Sequence, residues 1–176
     1  MIERLRGRIL EKAPSGRLVI ETAGGVGYAA HSPASTTLRL PPEGGEATLY
    51  TRMVWTDKSA DLYGFLTRSE REAFDILVSV SKVGPKLALT VLSSLDPPDL
   101  ARAVAEQDLR RLADIKGIGL KTAERIMLEM KDKAPRLADA ASVPESGPDG
   151  PPGAPPALVS EASSALQNMG YSRTEA

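Results

Sequence analysis

Apolar residues follow two different periods along this chain, and the change between them falls near residue 65. Up to that point they alternate in short runs. Arg17-Leu18-Val19-Ile20-Glu21 has strand composition, Ala23-Gly24-Gly25 is a turn, and Val26 to His31 resumes as a strand, so the first three elements read as a meander. Pro41-Pro42-Glu43-Gly44-Gly45 breaks the chain before a long β-branched and aromatic run, Ala47 to Trp55, and Leu62-Tyr63-Gly64-Phe65 closes the segment. About five strands in some sixty residues predict a small closed barrel, for which the five-stranded oligonucleotide-binding (OB) fold is the common solution.

From Thr67 to about Ala134 the apolar positions recur at helical spacing. Thr67 or Ser69 can cap a first helix with Phe74, Leu77 and Val78 on one face. Asp96-Pro97 marks a third helix start and Asp108 a fourth, and Ala123, Ile126, Met127 and Met130 stripe a fifth. The methionines read as core filler. The result is an all-helical module of five helices over residues 65–134, behind a barrel over 1–64.

Within that module one pattern occurs twice, 35 residues apart: Val83-Gly84-Pro85-Lys86-Leu87-Ala88 and Ile118-Gly119-Leu120-Lys121-Thr122-Ala123. The register extends outward. Phe74, Leu77, Val78 and Val80 match Leu109, Leu112, Ala113 and Ile115, while Val91, Leu92 and Leu95 match Ile126, Met127 and Met130. An internal duplication of a helix-hairpin-helix unit accounts for this.

The chemistry of such a unit lies at the start of its second helix, where backbone N–H groups lack partners and the macrodipole is positive. A phosphate is the natural ligand there. Gly117 and Gly119 allow a tight turn and close approach of a sugar-phosphate backbone, and Lys121 adds a cation. One Lys-Gly-Ile-Gly alone is an ordinary inter-helix turn. Two in register point to DNA, because a pair can grip both strands of a duplex about its minor groove by reading phosphate rather than base. The candidate DNA-binding residues are Lys82, Val83, Gly84 and Lys86 in the first copy, and Lys116, Gly117, Ile118, Gly119, Lys121 and Thr122 in the second.

Charge qualifies that picture. The 176 residues carry a net charge of -1, with eight Lys/Arg against seven Asp/Glu over 1–64 and twelve against eleven over 65–135. Binding must come from local placement of cations and backbone donors, and multivalency in an oligomer would reinforce it. With no cysteine and one histidine, thiolate metal sites, disulfides and cysteine nucleophiles are excluded, and His31 reads as a surface or packing residue. Neither a membrane-length apolar run nor the apolar core of a signal peptide is present, which predicts a cytoplasmic protein. Gly119-Leu120-Lys121-Thr122 is not a phosphate loop: Leu120 stands where a P-loop has glycine, and the context is helical. Nor do clustered acids at metal-binding spacing support a nuclease.

After Ala134 the period disappears. Seven prolines among Gly, Ser and Asp between Pro135 and Pro156 read as a flexible linker over 135–156, and Leu158 to Tyr171 reads as one amphipathic helix with a glycine C-cap at Gly170. About twenty residues cannot bury a core alone, so this tail is expected to fray or to dock.

Taken together, Met1-Ile2, Leu5-Arg6-Gly7, Gly24-Gly25-Val26-Gly27-Tyr28, Leu62-Tyr63-Gly64-Phe65, Val83 to Ala88 and Ile115 to Arg125 resemble the RuvA family of Holliday-junction-binding subunits. The resemblance covers nearly the whole chain. It implies an OB barrel, a tandem helix-hairpin-helix domain and a mobile third domain that contacts the ATPase RuvB. It also implies a non-catalytic subunit without a cofactor, assembled as a homotetramer or octamer that holds a four-way junction open and square, with RuvB and the resolvase RuvC as partners.

Three departures from the family pattern stand out. The acidic pin at the centre of the plate maps to Thr56-Asp57-Lys58-Ser59, where Asp57 is followed by a cation instead of a second acid. Lys82 occupies the place that Gly117 holds in the second hairpin, and lysine in a positive-φ position would cost roughly 1 kcal/mol. Pro85 also removes one N–H donor while presetting its helix, so the two hairpins are expected to contribute unequally. Finally, the family's last domain continues through further helices, whereas residues 157–176 correspond to only part of a RuvB-contacting domain.

Overall fold

A computed structural model describes residues 2–57, 59–131, 133 and 137. The first 65 positions supply strands β1 (Arg4–Lys12), β2 (Arg17–Glu21), β3 (Gly27–His31), β4 (Glu46–Trp55) and β5 (Ala60–Phe65). They close into a barrel in the order β1-β2-β3-β5-β4, with β3 and β5 parallel and the other pairings antiparallel. The expected meander is β1-β2-β3. Alternation does the packing: Ile9, Leu18, Ile20 and Leu49 are fully buried while their sequence neighbours face outward.

One element has no apolar period to announce it. The short helix α1 (Ala34–Arg39) follows β3 and buries Thr36 and Thr37, whose hydroxyls are satisfied within the fold. Its Ser/Thr content hides it, because helices this short are held by tertiary contacts rather than propensity.

The helical module contains α2 (Arg68–Ser79), α3 (Pro85–Ser94), α4 (Pro97–Ala105), α5 (Leu109–Ala113) and α6 (Leu120–Met130). Thr67, not Ser69, caps α2 by accepting from the Glu70 N–H, and Asp96 and Asp108 cap α4 and α5 in the same way. The duplication reappears as burial. Leu77, Val80, Val83, Ala88, Val91 and Leu95 are buried, and so are their equivalents Leu112, Ile115, Ile118, Ala123, Ile126 and Met130.

Barrel and helices share apolar packing. Tyr63 and Phe65 of β5 lie in the same cluster as Phe74 and Leu77 of α2, with the Tyr63 ring stacked on Phe74 at 4.9 Å between centroids. Buried Glu70 adds a polar joint: its carboxylate accepts from the Thr36 hydroxyl at 3.0 Å and the Leu66 N–H at 2.9 Å, and pairs with Arg39. A bidentate pair from Arg52 on β4 to Asp75 on α2 makes a second joint. The Asp75 hydrogen bonds raise the Arg52 pKa further, against the opposing effect of burial, so this guanidinium stays charged.

Of the stretch read as a linker, Leu137 is described, and it is fully buried in the helical cluster. Packing therefore continues past the point where the sequence loses its period. The remainder of that stretch and the predicted tail helix lie outside the described residues. No helix among the described residues is long and apolar enough to cross a membrane.

Candidate nucleic-acid interface

Each hairpin turn is closed by the same bond. The Val83 N–H donates to the Val80 carbonyl at 3.0 Å, and the Ile118 N–H donates to the Ile115 carbonyl at 2.9 Å. At the third turn position Lys82 has φ 68° and Gly117 has φ 91°, the left-handed conformation required at that position of a type II turn. The first hairpin has not shifted its turn to accommodate lysine. It keeps the glycine geometry, at a cost of about 1 kcal/mol in backbone strain.

The helix starts are near copies. Gly84 caps α3 at φ −88°, ψ 170°, and Gly119 caps α6 at φ −87°, ψ 165°. Neither cap offers a side chain, so the early N–H groups of each helix, at Lys86 and Leu87 and at Leu120 and Lys121, are left for an external acceptor. Both φ values are ordinary for any residue, and a Cβ built at either glycine would meet nothing within 4 Å. The fold itself does not need glycine at these two positions. What glycine provides is an uncovered backbone. The two glycines therefore differ: Gly117 is required by the turn, whereas Gly119 has an ordinary φ and open space beside it.

The expected site residues fall into two groups. Lys82, Gly84, Lys86, Lys116, Gly117, Gly119 and Lys121 are exposed around the two helix starts, and Thr122 is half-buried one turn in. Val83 and Ile118 are different: their side chains are buried and their N–H groups close the turns. They anchor the hairpins. Pro85 at the first position of α3 has no N–H, while in α6 the Thr122 N–H turns back to the Gly119 carbonyl at 2.9 Å, so two N–H groups are left at each helix start.

A residue absent from the sequence-derived set joins the two copies. Arg125 of α6 reaches the turn of the first hairpin, where its guanidinium donates to the Ser81 hydroxyl at 2.9 Å, and the neighbouring Glu129 carboxylate accepts from the Ser81 N–H at 3.2 Å. Reciprocally, Gly117 in the second turn lies beside Leu87 of α3. Arg125 stands within the motif run Thr122-Ala123-Glu124-Arg125, but a contact spanning 44 residues leaves no local signal.

Asp57 is exposed in the β4–β5 turn. That turn is closed by the Thr56 N–H on the Ser59 carbonyl at 2.8 Å and the Ser59 N–H on the Thr56 hydroxyl at 3.0 Å. Lys58 lies outside the described residues. Between the barrel and α3 runs a groove of about 560 Å³ lined by His31, Asp61, Tyr63, Lys86, Thr90 and Ser94 among others. His31 is exposed at the end of β3 with its ring 5.9 Å from that of Tyr63, and burial, followed by the charge of Asp61, pushes the Tyr63 phenol above its usual pKa.

Comparison with known proteins bears on both halves. Residues 1–64 match the model of the RuvA N terminal domain, and residues 74–132 match that of the SAM-like helix-hairpin-helix tandem. A protein of Rubrobacter xylanophilus is 46% identical over 177 residues, covering 100% of this chain and 86% of its own length. Proteins of Trichlorobacter lovleyi and Symbiobacterium thermophilum are 45% and 44% identical, covering 97% and 100% of this chain and 84% and 85% of theirs. All three carry the name Holliday junction branch migration complex subunit RuvA.

Proposed function

The chain belongs to the RuvA family, and from that premise we propose that it binds four-way junction DNA as the non-catalytic subunit of a branch-migration complex in recombination and repair. The observation that carries this is the pair of helix starts at Gly84 and Gly119, alike in backbone angles and bare of side chains for no reason internal to the fold. Each receives a phosphate on its free N–H groups, with Lys86 and Lys121 one residue into the helix and Lys82 and Lys116 in the turns. Two phosphate sites on one rigid module take both strands of one arm.

Such contacts position DNA without reading its sequence, and their strength falls steeply with salt. Preference for a junction then has to come from geometry. A chain with net charge -1 is a weak binder singly, and four copies about a fourfold axis present a pair of hairpins to each arm, raising avidity by effective concentration. Asp57 faces the crossover, where like charge repels backbone phosphates. Strand exchange is driven by a separate ATPase, RuvB, with the resolvase RuvC acting on the same junction in the cytoplasm. The domain organisation follows: the barrel lies toward the crossover and the hairpin module beneath the arms.

The test is a gel shift comparing an immobile four-way junction with a linear duplex of the same arm sequence at matched salt. Tighter binding of the junction is expected; equal affinity for the two would overturn the reading.

A further inference from the structure

Trp55 is the chain's single tryptophan, and 73% of its surface is exposed. Folded domains seldom leave so large an apolar side chain in water. Register explains how it comes to be there. Along β4, Ala47, Leu49, Thr51, Met53 and Trp55 occupy the alternate positions that turn into the barrel. Ala47, Leu49 and Thr51 are buried, and Met53 is half-buried against Leu5, Ala30 and Leu62. Trp55 continues this column past the barrel rim, on the last rung before the turn, opposite Ala60. The turn beyond it is tied by the Thr56–Ser59 bonds and by the Ser59 hydroxyl on Asp61 at 2.7 Å. The indole therefore stands on a braced support beside Asp57.

We infer that Trp55 is a base-stacking site that takes the face of an unpaired base at the junction crossover. The inference rests on the junction-binding reading and deepens it, naming the ligand of this turn as a base rather than a phosphate. Size favours that occupant. The turn residues Thr56, Asp57 and Ser59 and the cross-strand Ala60 are exposed and polar or small, so Trp55 is the one large apolar side chain exposed along this turn. That matches one nucleobase and falls far short of the apolar centre of a protein–protein interface. Charge favours it too. Asp57 and Asp61 repel a phosphate but not a neutral ring. In sequence Asp57 is followed by Lys58, which leaves electrostatic repulsion a weak wedge, whereas an aromatic platform stabilises the unstacked base directly.

As the sole tryptophan, Trp55 reports on this site alone. The full chain is titrated at matched salt with an immobile four-way junction and with a linear duplex, each carrying 2-aminopurine at the crossover position or in mid-arm. The junction is expected to quench Trp55 emission and shield it from acrylamide, while saturating duplex leaves it unchanged, and crossover 2-aminopurine responds where mid-arm 2-aminopurine does not. Trp55→Phe keeps the crossover response. Trp55→Ala abolishes it and weakens junction binding about tenfold, with duplex binding unchanged. Emission unaffected by saturating junction, or altered equally by duplex, would overturn the inference. So would an indole already shielded in the DNA-free protein together with a smaller assembly for Trp55→Ala, which would identify a second copy as the occupant. A chain that binds junction no better than duplex rejects the junction reading itself; one that prefers the junction while Trp55 stays silent rejects the stacking site alone.

Discussion

The Arg125 guanidinium donates to the Ser81 hydroxyl at 2.9 Å, so a helix of the second hairpin holds the turn of the first. This bond makes the spacing between the two hairpins a property of the module rather than of either hairpin. Ser81→Ala and Arg125→Ala should each leave thermal stability within about 1 kcal/mol of the parent, since the bond is at the surface. Both should weaken duplex and junction binding several-fold. If Arg125→Ala alone weakens binding, the arginine acts on DNA directly and the brace is irrelevant; fluorescence anisotropy on the two variants distinguishes the cases.

Lys82 and Gly117 share a left-handed backbone, and only the glycine is at ease in it. Relief of that strain in Lys82→Gly is largely offset by the added freedom of the unfolded chain, so urea unfolding should show a gain of no more than about 0.5 kcal/mol at unchanged m-value. DNA affinity should fall, and the slope of log affinity against log salt should drop by about one unit. The mirror substitution Gly117→Lys should lose about 1 kcal/mol.

Gly84→Ala and Gly119→Ala fill open space at ordinary φ, so each should still fold, with a loss of about 1 kcal/mol or less from placing alanine at an N-cap. The added methyl nevertheless stands where a phosphate must approach. Binding to every DNA sequence should weaken to a similar degree for both variants, since each helix start leaves two N–H donors. A base-dependent loss in competition assays would contradict phosphate readout.

Tyr63 is pushed above the ordinary tyrosine pKa of 10.0, first by burial and then by Asp61. The folded state keeps its proton where the unfolded chain has begun to lose it. Tyr63 therefore costs nothing below about pH 10, and stability falls as pH rises through that value. Tyr63→Phe keeps the stacking on Phe74 and removes the titration. Chemical denaturation between pH 8 and 11 should show a shallower alkaline decline for the variant; parallel curves would remove Tyr63 from the account.

Much of this was legible along the chain. Strand alternation up to Phe65, the caps at Asp96 and Asp108, and the 35-residue repeat are all local patterns, and the observed elements follow them. Helix α1 was not legible, because Thr36 and Thr37 look like loop residues until Glu70 and α3 pack against their helix. Val83 and Ile118 looked like part of the ligand surface because they sit inside the motif, and burial assigns them to the core.

The sequence by itself determined the strands, the helices other than α1, the duplication and the residue types at each helix start, since backbone propensity, period and capping act over a few neighbouring positions. Tertiary structure decided which of those residues face outward. It separated Gly117, which the turn requires, from Gly119, which has ordinary φ and open space beside it, brought Arg125 to Ser81 across 44 residues, and left Trp55 beyond the barrel rim. The physical reason is that exposure and long-range contact depend on how elements close on one another, and no local pattern carries that information.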